Sequence, residues 1–160
     1  TISQSQVPTE VLAHLLQLTR DLLLAPVRLL DSVPEVLAEL AKSHRLILIT
    51  KGDLVHQTRK VTTSGLDHLF DHVEIVLEKD VATYAKVFRD ISVQPEKVCM
   101  VGNSVKSDIL PILELGGHAV HIPYHFLWEL EQAEHPPTSP RFGELTNINE
   151  LPAWIHQLSI

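Results

Sequence analysis

The sequence predicts an α/β protein built on a parallel sheet flanked by helices. Short, mainly apolar runs of strand length recur along the chain, and segments with helical spacing of apolar residues separate them. Glycine or proline stands at many of the boundaries. Strands that alternate with helices in this way are typical of βαβ units, whose crossovers are almost always right-handed.

Two helices are predicted at the start. Residues 9–24 carry apolar side chains near helical spacing, and Pro26 closes the segment. The second helix begins at the sequence SVPE, where Ser32 and Glu35 form a capping-box pattern, and it ends near Ser43. The apolar run RLILIT, residues 45–50, follows and predicts a buried parallel strand.

The same alternation continues toward the carboxyl terminus. It predicts a helix at 54–65, a strand at 73–78, a helix at 81–91, a strand at 97–102, a helix at 107–117 and a strand at 118–123. The proline-rich residues 135–143 are expected to form a loop, and a short helix within 147–158 is expected to be capped at Asn149.

Length and composition restrict the classes of function. The chain has 160 residues and a formal charge of −7, which argues against a nucleic-acid partner. No apolar run approaches the roughly 20 residues of a membrane span, so no membrane partner is expected. The single cysteine, Cys99, lies in an apolar strand and cannot form an intramolecular disulfide. We therefore expect a cytoplasmic location.

Polar residues follow three successive predicted strands. The strand at LILIT ends in Thr50, Lys51 and Gly52, and Lys79 follows the strand at 73–78. In an open α/β sheet, ligands bind beyond the carboxyl ends of the strands. A threonine hydroxyl, a glycine that admits close backbone approach and a lysine ammonium suit a phosphoryl group.

The third strand runs into the sequence VCMVGNSVKSD. Asn103 and Asp108 follow it and offer oxygen ligands for a hard cation such as Mg²⁺, although an amide is a weaker ligand than a carboxylate. Each residue also has an ordinary explanation: Thr50 as a strand end, Lys79 as a surface lysine and Asp108 as a helix cap. Their placement after successive strands favours one shared site.

These motifs resemble those of the haloacid dehalogenase-like superfamily. LILITKGD is similar to its second motif, EKDVATYAKVF to its third and VCMVGNSVKSD to its fourth. The intervening SGLDHLFDHVEIV fits the segment between the second and third motifs. The resemblance covers about residues 30–123 and is most specific in the fourth motif with the Gly-Gly pair behind it.

The resemblance implies a Rossmann-like core at 30–160, preceded at 1–29 by the end of a helical cap. It further implies Mg²⁺-dependent hydrolysis of a small phosphorylated substrate through an aspartyl-phosphate intermediate. Carried over by position, Thr50, Lys51 and Gly52 would bind the phosphoryl group. Lys79 would act as the catalytic cation, and Asn103 with Asp108 would hold or orient the metal.

Two departures from the family pattern affect this expectation. Asn103 stands where the family has a metal-binding aspartate, and no Asp-x-Asp sequence is present to supply the nucleophile and the general acid. In the family, the strand that carries Asp-x-Asp lies between those that here end at Thr50 and Val101. Without that strand, we expect this chain to be inactive as a phosphatase. We also expect it to be poorly stable, unless another segment fills the gap or the two strands pair directly.

Three alternatives remain at the level of sequence. A metal-independent dehalogenase of the same fold would be compatible with Asn103, and less so with Asp108. An inactive relative or fragment would retain a binding or structural role. A receiver-like signalling module also places Thr and Lys at strand ends, but it needs acidic acceptor residues that these strands do not offer.

Overall fold

The computed structural model describes residues 8–124 and 138–158. The elements are α1 (Thr9–Leu24), α2 (Val33–Leu40), β1 (Ile47–Lys51), α3 (Leu54–Ser64), β2 (His72–Val76), α4 (Val81–Asp90), β3 (Cys99–Gly102), α5 (Leu110–Glu114), β4 (His118–His121), β5 (Phe142–Glu144) and α6 (Leu151–Ile155). A π-helical turn, Val105–Ile109, precedes α5. None of the described helices is long and apolar enough to cross a membrane.

All described strand pairs are parallel, which confirms the predicted α/β class with helices around a parallel sheet. β1 pairs with β2, and β3, β4 and β5 form a second group in that order. Successive residues of β4 face opposite sides of the sheet: Ala119 and Val120 are both fully buried but belong to different cores. Helices α4 and α5 contribute to one core, and α2 and α6 contribute to the other.

A cavity of about 1040 Å³ lies between β1 and β3. Residues 46–50 line one side of this cleft and residues 98–101 line the other. Leu37 of α2 and Leu151 of α6 border it together with Phe88 of α4. Within the described ranges, β1 pairs only with β2 and β3 only with β4, so each presents a backbone edge to the cleft.

Helix α1 spans the predicted residues, and its apolar stripe remains largely exposed. Val11, Leu12, Leu15, Leu16 and Leu18 are each 47–63% exposed. The described remainder of the chain therefore does not bury this face. The assignment of residues 1–29 to a cap stays a prediction.

Several local predictions were wrong. Ser32 has a left-handed φ of 65° and makes no side-chain cap bond, so the capping box does not form. The helix predicted at 107–117 is divided into the π-helical turn and α5, and the cap near the carboxyl terminus is Asn147. Residues 142–144, predicted as loop, form β5 because Ala119 N–H bonds to the Arg141 carbonyl and Leu145 N–H to that of His121.

Candidate active site

The site lies beyond the carboxyl ends of β1, β2 and β3, at one edge of the parallel strands. Its centre is an ion pair in which the Lys79 ammonium donates a hydrogen bond to Asp108 Oδ1 at 2.7 Å. The Lys79 side chain is 16% exposed and that of Asp108 is 5% exposed. Two residues from the predicted site, 29 positions apart in sequence, therefore meet in a partly dehydrated environment.

The turn after β3 is built around the Asp108 carboxylate. Asp108 Oδ2 accepts a hydrogen bond from the Ser104 amide at 3.1 Å. A side chain at Gly102 would overlap this carboxylate, so the glycine gives it room to lie against the strand end. Ser104, whose hydroxyl accepts from the Ser107 amide, caps the turn. The proposed capping role of Asp108 is thus filled by another residue.

Thr50 lines the cleft together with Lys79. The Thr50 hydroxyl donates to Gln57 Oε1 at 3.2 Å. The Gly52 amide donates to the Val76 carbonyl at 3.1 Å and is turned toward β2. Because successive backbone groups of a strand alternate in direction, the Lys51 amide is expected to point away from β2. The Lys51 ammonium lies 3.8 Å from Glu78, so its side chain is drawn to the surface.

Asn103 is held through its backbone. Its carbonyl oxygen lies 3.1 Å from His121 Nε2, and His121 Nδ1 lies 3.1 Å from Glu144 Oε2. His121 is buried, at 7% exposure. The imidazole therefore connects the carboxyl ends of β3, β4 and β5 and fixes the backbone from which the Asn103 side chain projects.

By the chemistry of their donor atoms, Asp108 and Asn103 could supply one side of a Mg²⁺ site. Asp108 offers carboxylate oxygens with lone pairs beyond those used by Lys79 and Ser104, and Asn103 offers an amide oxygen. In the described ranges, no three His, Cys, Asp or Glu side chains cluster closely enough to hold a metal. Mg²⁺ often binds through one or two carboxylates plus substrate phosphate oxygens, so a second carboxylate is the ligand still required.

Three potential nucleophiles near the strand ends are either kept protonated or engaged in helix caps. Burial raises the pKa of the Cys99 thiol to about 12, so the thiol stays protonated near neutral pH. Asp53 caps α3 by accepting from the His56 amide at 3.0 Å. Asp80 caps α4, and the hydrogen bond from the Thr83 amide lowers its pKa. Lys86, a second lysine of the third motif, is on the exposed side of α4 and pairs with Asp90.

Sequence reasoning missed Gln57, Ser104 and His121. Gln57 lies seven residues after Thr50, in a helix whose pattern gave no sign of contact with the strand end. Ser104 had a usable signal, because a serine directly before a helical segment is a common N-cap. The contact of His121 with Asn103 depends on strand order, which no local pattern encodes.

The comparisons with known proteins identify the family and the fold. Residues 3–116 match the family of haloacid dehalogenase-like hydrolases. A haloacid dehalogenase-like family hydrolase from Xanthomonas campestris is 32% identical, with a TM-score of 0.86 over 97% of this chain and 65% of that one.

Two curated relatives are phosphatases. The glyceraldehyde 3-phosphate phosphatase of Methanothermobacter thermautotrophicus is 28% identical over 116 residues, which are 69% of this chain and 50% of that protein. The N-acylneuraminate-9-phosphatase of Mus musculus is 29% identical over 137 residues, 81% of this chain and 53% of that protein. The chain thus spans about half the length of these relatives, and by the extent of the family match it belongs to the haloacid dehalogenase-like hydrolases.

Proposed function

We propose that this chain forms the phosphate- and metal-binding side of a Mg²⁺-dependent phosphatase acting on a small phosphorylated metabolite. The observation that carries the proposal is the Lys79–Asp108 pair, which lies at the strand ends and borders, through Lys79, the cleft that Thr50 also lines. The phosphatase activities of both curated relatives support the same reaction class.

Each residue has a role that follows from its chemistry. The Thr50 hydroxyl and the Lys51 amide donate to phosphoryl oxygens, and Gly52 gives the turn its close approach. The Lys79 ammonium neutralises charge that develops on the transferred group, a role for which a desolvated cation is effective. Asn103 and Asp108 would hold Mg²⁺, which supplies further neutralisation of phosphate charge when bound.

The attacking group has to enter through the cleft. An added strand between β1 and β3 would bring its carboxyl end beside Thr50 and Lys79, where the resemblance expects Asp-x-Asp. The first carboxylate would attack phosphorus, and the ester oxygen would leave with a proton from the second. Water would then release inorganic phosphate from the aspartyl phosphate.

The test compares the 160-residue chain with a fusion in which a homologous phosphatase's Asp-x-Asp strand and cap precede Thr1. With Mg²⁺ and p-nitrophenyl phosphate, the fusion should turn over and the chain alone should not. Lys79→Ala should reduce kcat of the fusion by about 10² or more, since no other described cation borders the cleft close to Asp108. Lys86→Ala, on the exposed side of α4, is the matched control.

A metal-independent dehalogenase is the second candidate, because Asp108 already has a cationic partner and Asn103 replaces a carboxylate. Release of chloride from 2-chloropropionate in excess chelator, without phosphatase activity, would favour it. Phosphatase activity that disappears on chelation would exclude it. Phosphatase activity that is unchanged in the Lys79→Ala fusion would contradict the role given to Lys79.

A further inference from the structure

Gln57 folds back from α3 onto the end of β1. Its Oε1 accepts a hydrogen bond from the Thr50 hydroxyl, with 3.2 Å between the two oxygens. Its Nε2 would lie 2.7 Å from a Cβ placed on Gly52. Gly52 has a φ of +146°, a conformation that glycine tolerates and other residues rarely adopt. The glycine thus provides both the turn and the space in which the Gln57 amide lies. Gln57 also lines the cleft.

The helix does not need this side chain for its own start. Asp53 caps α3 through its carboxylate, and the Gln57 backbone amide donates to the Asp53 carbonyl at 2.9 Å. The start of α3 therefore does not require the Gln57 side-chain amide. Helix capping does not account for the hydrogen bond between Gln57 and Thr50.

The hydrogen bond from Thr50 to Gln57 affects whether the Thr50 hydroxyl can donate to a ligand. A threonine hydroxyl has one hydrogen, and here that hydrogen is donated to Gln57 Oε1. In this arrangement, Thr50 cannot donate to a phosphoryl oxygen. Rotation of the Gln57 amide by half a turn would exchange its oxygen and nitrogen. Nε2 would then donate to Thr50, and the Thr50 hydrogen would be available to the cleft.

We propose that Gln57 is a positioning residue of the phosphate site, which acts through Thr50 by switching from acceptor to donor when a phosphoryl group binds. The inference rests on the proposed function. An anion favours hydrogen bonds whose donors all point toward it, and each bond in such a chain strengthens the next. The pair therefore orients the hydroxyl hydrogen toward phosphate.

The experiment measures binding of inorganic phosphate to the 160-residue chain by NMR, from the amide shifts of Lys51 and Gly52. Gln57→Glu keeps the shape but offers no donor at neutral pH, and it should weaken phosphate binding about tenfold or more. Gln57→Met removes the hydrogen bond without adding charge and should weaken it roughly threefold. Melting curves show that each variant is folded.

A double-mutant cycle separates positioning from direct repulsion. In the Thr50→Val background, Gln57→Met should have no effect, and Gln57→Glu should retain only the small loss that its charge causes. Gln157→Glu, on an exposed side chain near the carboxyl terminus, controls for net charge. In the active fusion, Gln57→Met should raise KM for the phosphate ester.

Equal losses from Gln57→Met in the Thr50 and Thr50→Val backgrounds, or no loss in either, would overturn the positioning role. Failure of the proposed function would give a different result. Phosphate would cause no saturable change in the amide shifts of the unmodified chain, or Thr50→Val would leave the phosphate affinity unchanged. That result would remove the phosphate site itself, and this inference with it.

Discussion

Lys79 and Asp108 join the two groups of strands, because Lys79 follows β2 and Asp108 follows β3. Their 2.7 Å ion pair connects the ends of two strands that belong to different groups. The Asp108 carboxylate is nearly excluded from solvent and depends on Lys79 and the Ser104 amide for compensation. The same contact therefore affects both the stability of the chain and the proposed chemistry.

Removal of Lys79 should destabilise the chain more than removal of the charge on Asp108. Lys79→Met leaves a buried carboxylate without its cation and should lower the free energy of unfolding by about 3 kcal/mol or more. Asp108→Asn leaves a lysine that can turn toward solvent, so its cost should be smaller. Urea denaturation of the single and double variants measures the coupling.

Lys86→Met is the control for this comparison, because Lys86 and its partner Asp90 are both exposed. It should leave the unfolding midpoint nearly unchanged. A Lys79→Met variant as stable as Lys86→Met would show that Asp108 does not depend on the ion pair.

Gly102→Ala should disrupt the same pair by a steric route. The added methyl group overlaps the Asp108 carboxylate and should cost about 2 kcal/mol or more, as overpacked cores do. Gly65→Ala is the matched control: φ is +72° there and no atom lies within 4 Å of the new Cβ, so only the cost of the left-handed conformation, about 1 kcal/mol, is expected.

The Asp108→Gly background tests the assigned cause. A Cβ on Gly102 would overlap Asp108 Oδ2, Cγ and Cβ, and Asp108→Gly removes all three atoms. The additional cost of Gly102→Ala should then fall clearly below its cost in the original chain. If the losses in unfolding free energy from the substitutions at Gly102 and Asp108 simply add, the cost of Gly102→Ala does not arise from contact with Asp108.

The parts of the fold that were predicted correctly are those that the local sequence specifies. Helix α3 ends where Gly65 takes up a left-handed φ of 72°, as the glycine signal indicates. The approach of Lys79 to Asp108 follows from a general rule, that carboxyl ends of parallel strands share one edge. Strand β5 was missed because pairing with β4, more than 20 residues earlier, creates it.

The residues missed at the site are likewise positioned by contacts between segments that are distant in sequence or by backbone detail, which local sequence patterns do not specify. Gln57 meets Thr50 only because α3 packs back over Gly52, and the helical pattern carries no trace of that contact. The π-helical turn at Val105–Ile109 overlaps the start of the ordinary helix predicted at 107–117, because apolar spacing over five residues does not separate the two helix types. The π-helical backbone that positions Asp108 therefore could not be predicted from the apolar pattern.

Cys99 should make the chain less stable as the pH rises above about 9. Its folded pKa is raised to about 12 by burial, whereas an unfolded cysteine ionises near pH 8.5 to 9. Between these values the unfolded state loses the thiol proton and the folded state keeps it, so unfolding becomes easier. The slope should approach about 1.4 kcal/mol per pH unit.

Other groups titrate in the same range, so the comparison is with Cys99→Ala. Urea unfolding at pH 8 and pH 10 should show a fall in the free energy of unfolding that is about 1.5 kcal/mol larger for the original chain. Equal falls would mean that the Cys99 thiol ionises as readily in the folded protein as in the unfolded one.

The cleft should accept a strand supplied as a separate peptide. Its two long sides are the edges of β1 and β3, and Leu37, Leu151 and Phe88 border it with apolar surface. A central strand of a parallel sheet is buried on both faces, so a peptide of about six residues rich in valine and isoleucine should fit. At 100 times its Kd, such a peptide should stabilise the chain by about 2.7 kcal/mol.

Hydrogen exchange identifies where the peptide binds. Because the Gly52 amide is directed to β2 and backbone amides alternate along a strand, the amides of Ile47 and Ile49 are expected on the side of the cleft, which both residues line. Their exchange should slow when the peptide is present. The matched control is the same peptide with a central proline, which lacks an amide hydrogen and cannot complete the pairing. If that peptide stabilises the chain equally well, or if protection appears elsewhere than at these amides, the cleft is not a strand site. The route proposed for the nucleophile would then fail as well, because no described strand stands between β1 and β3 to carry it.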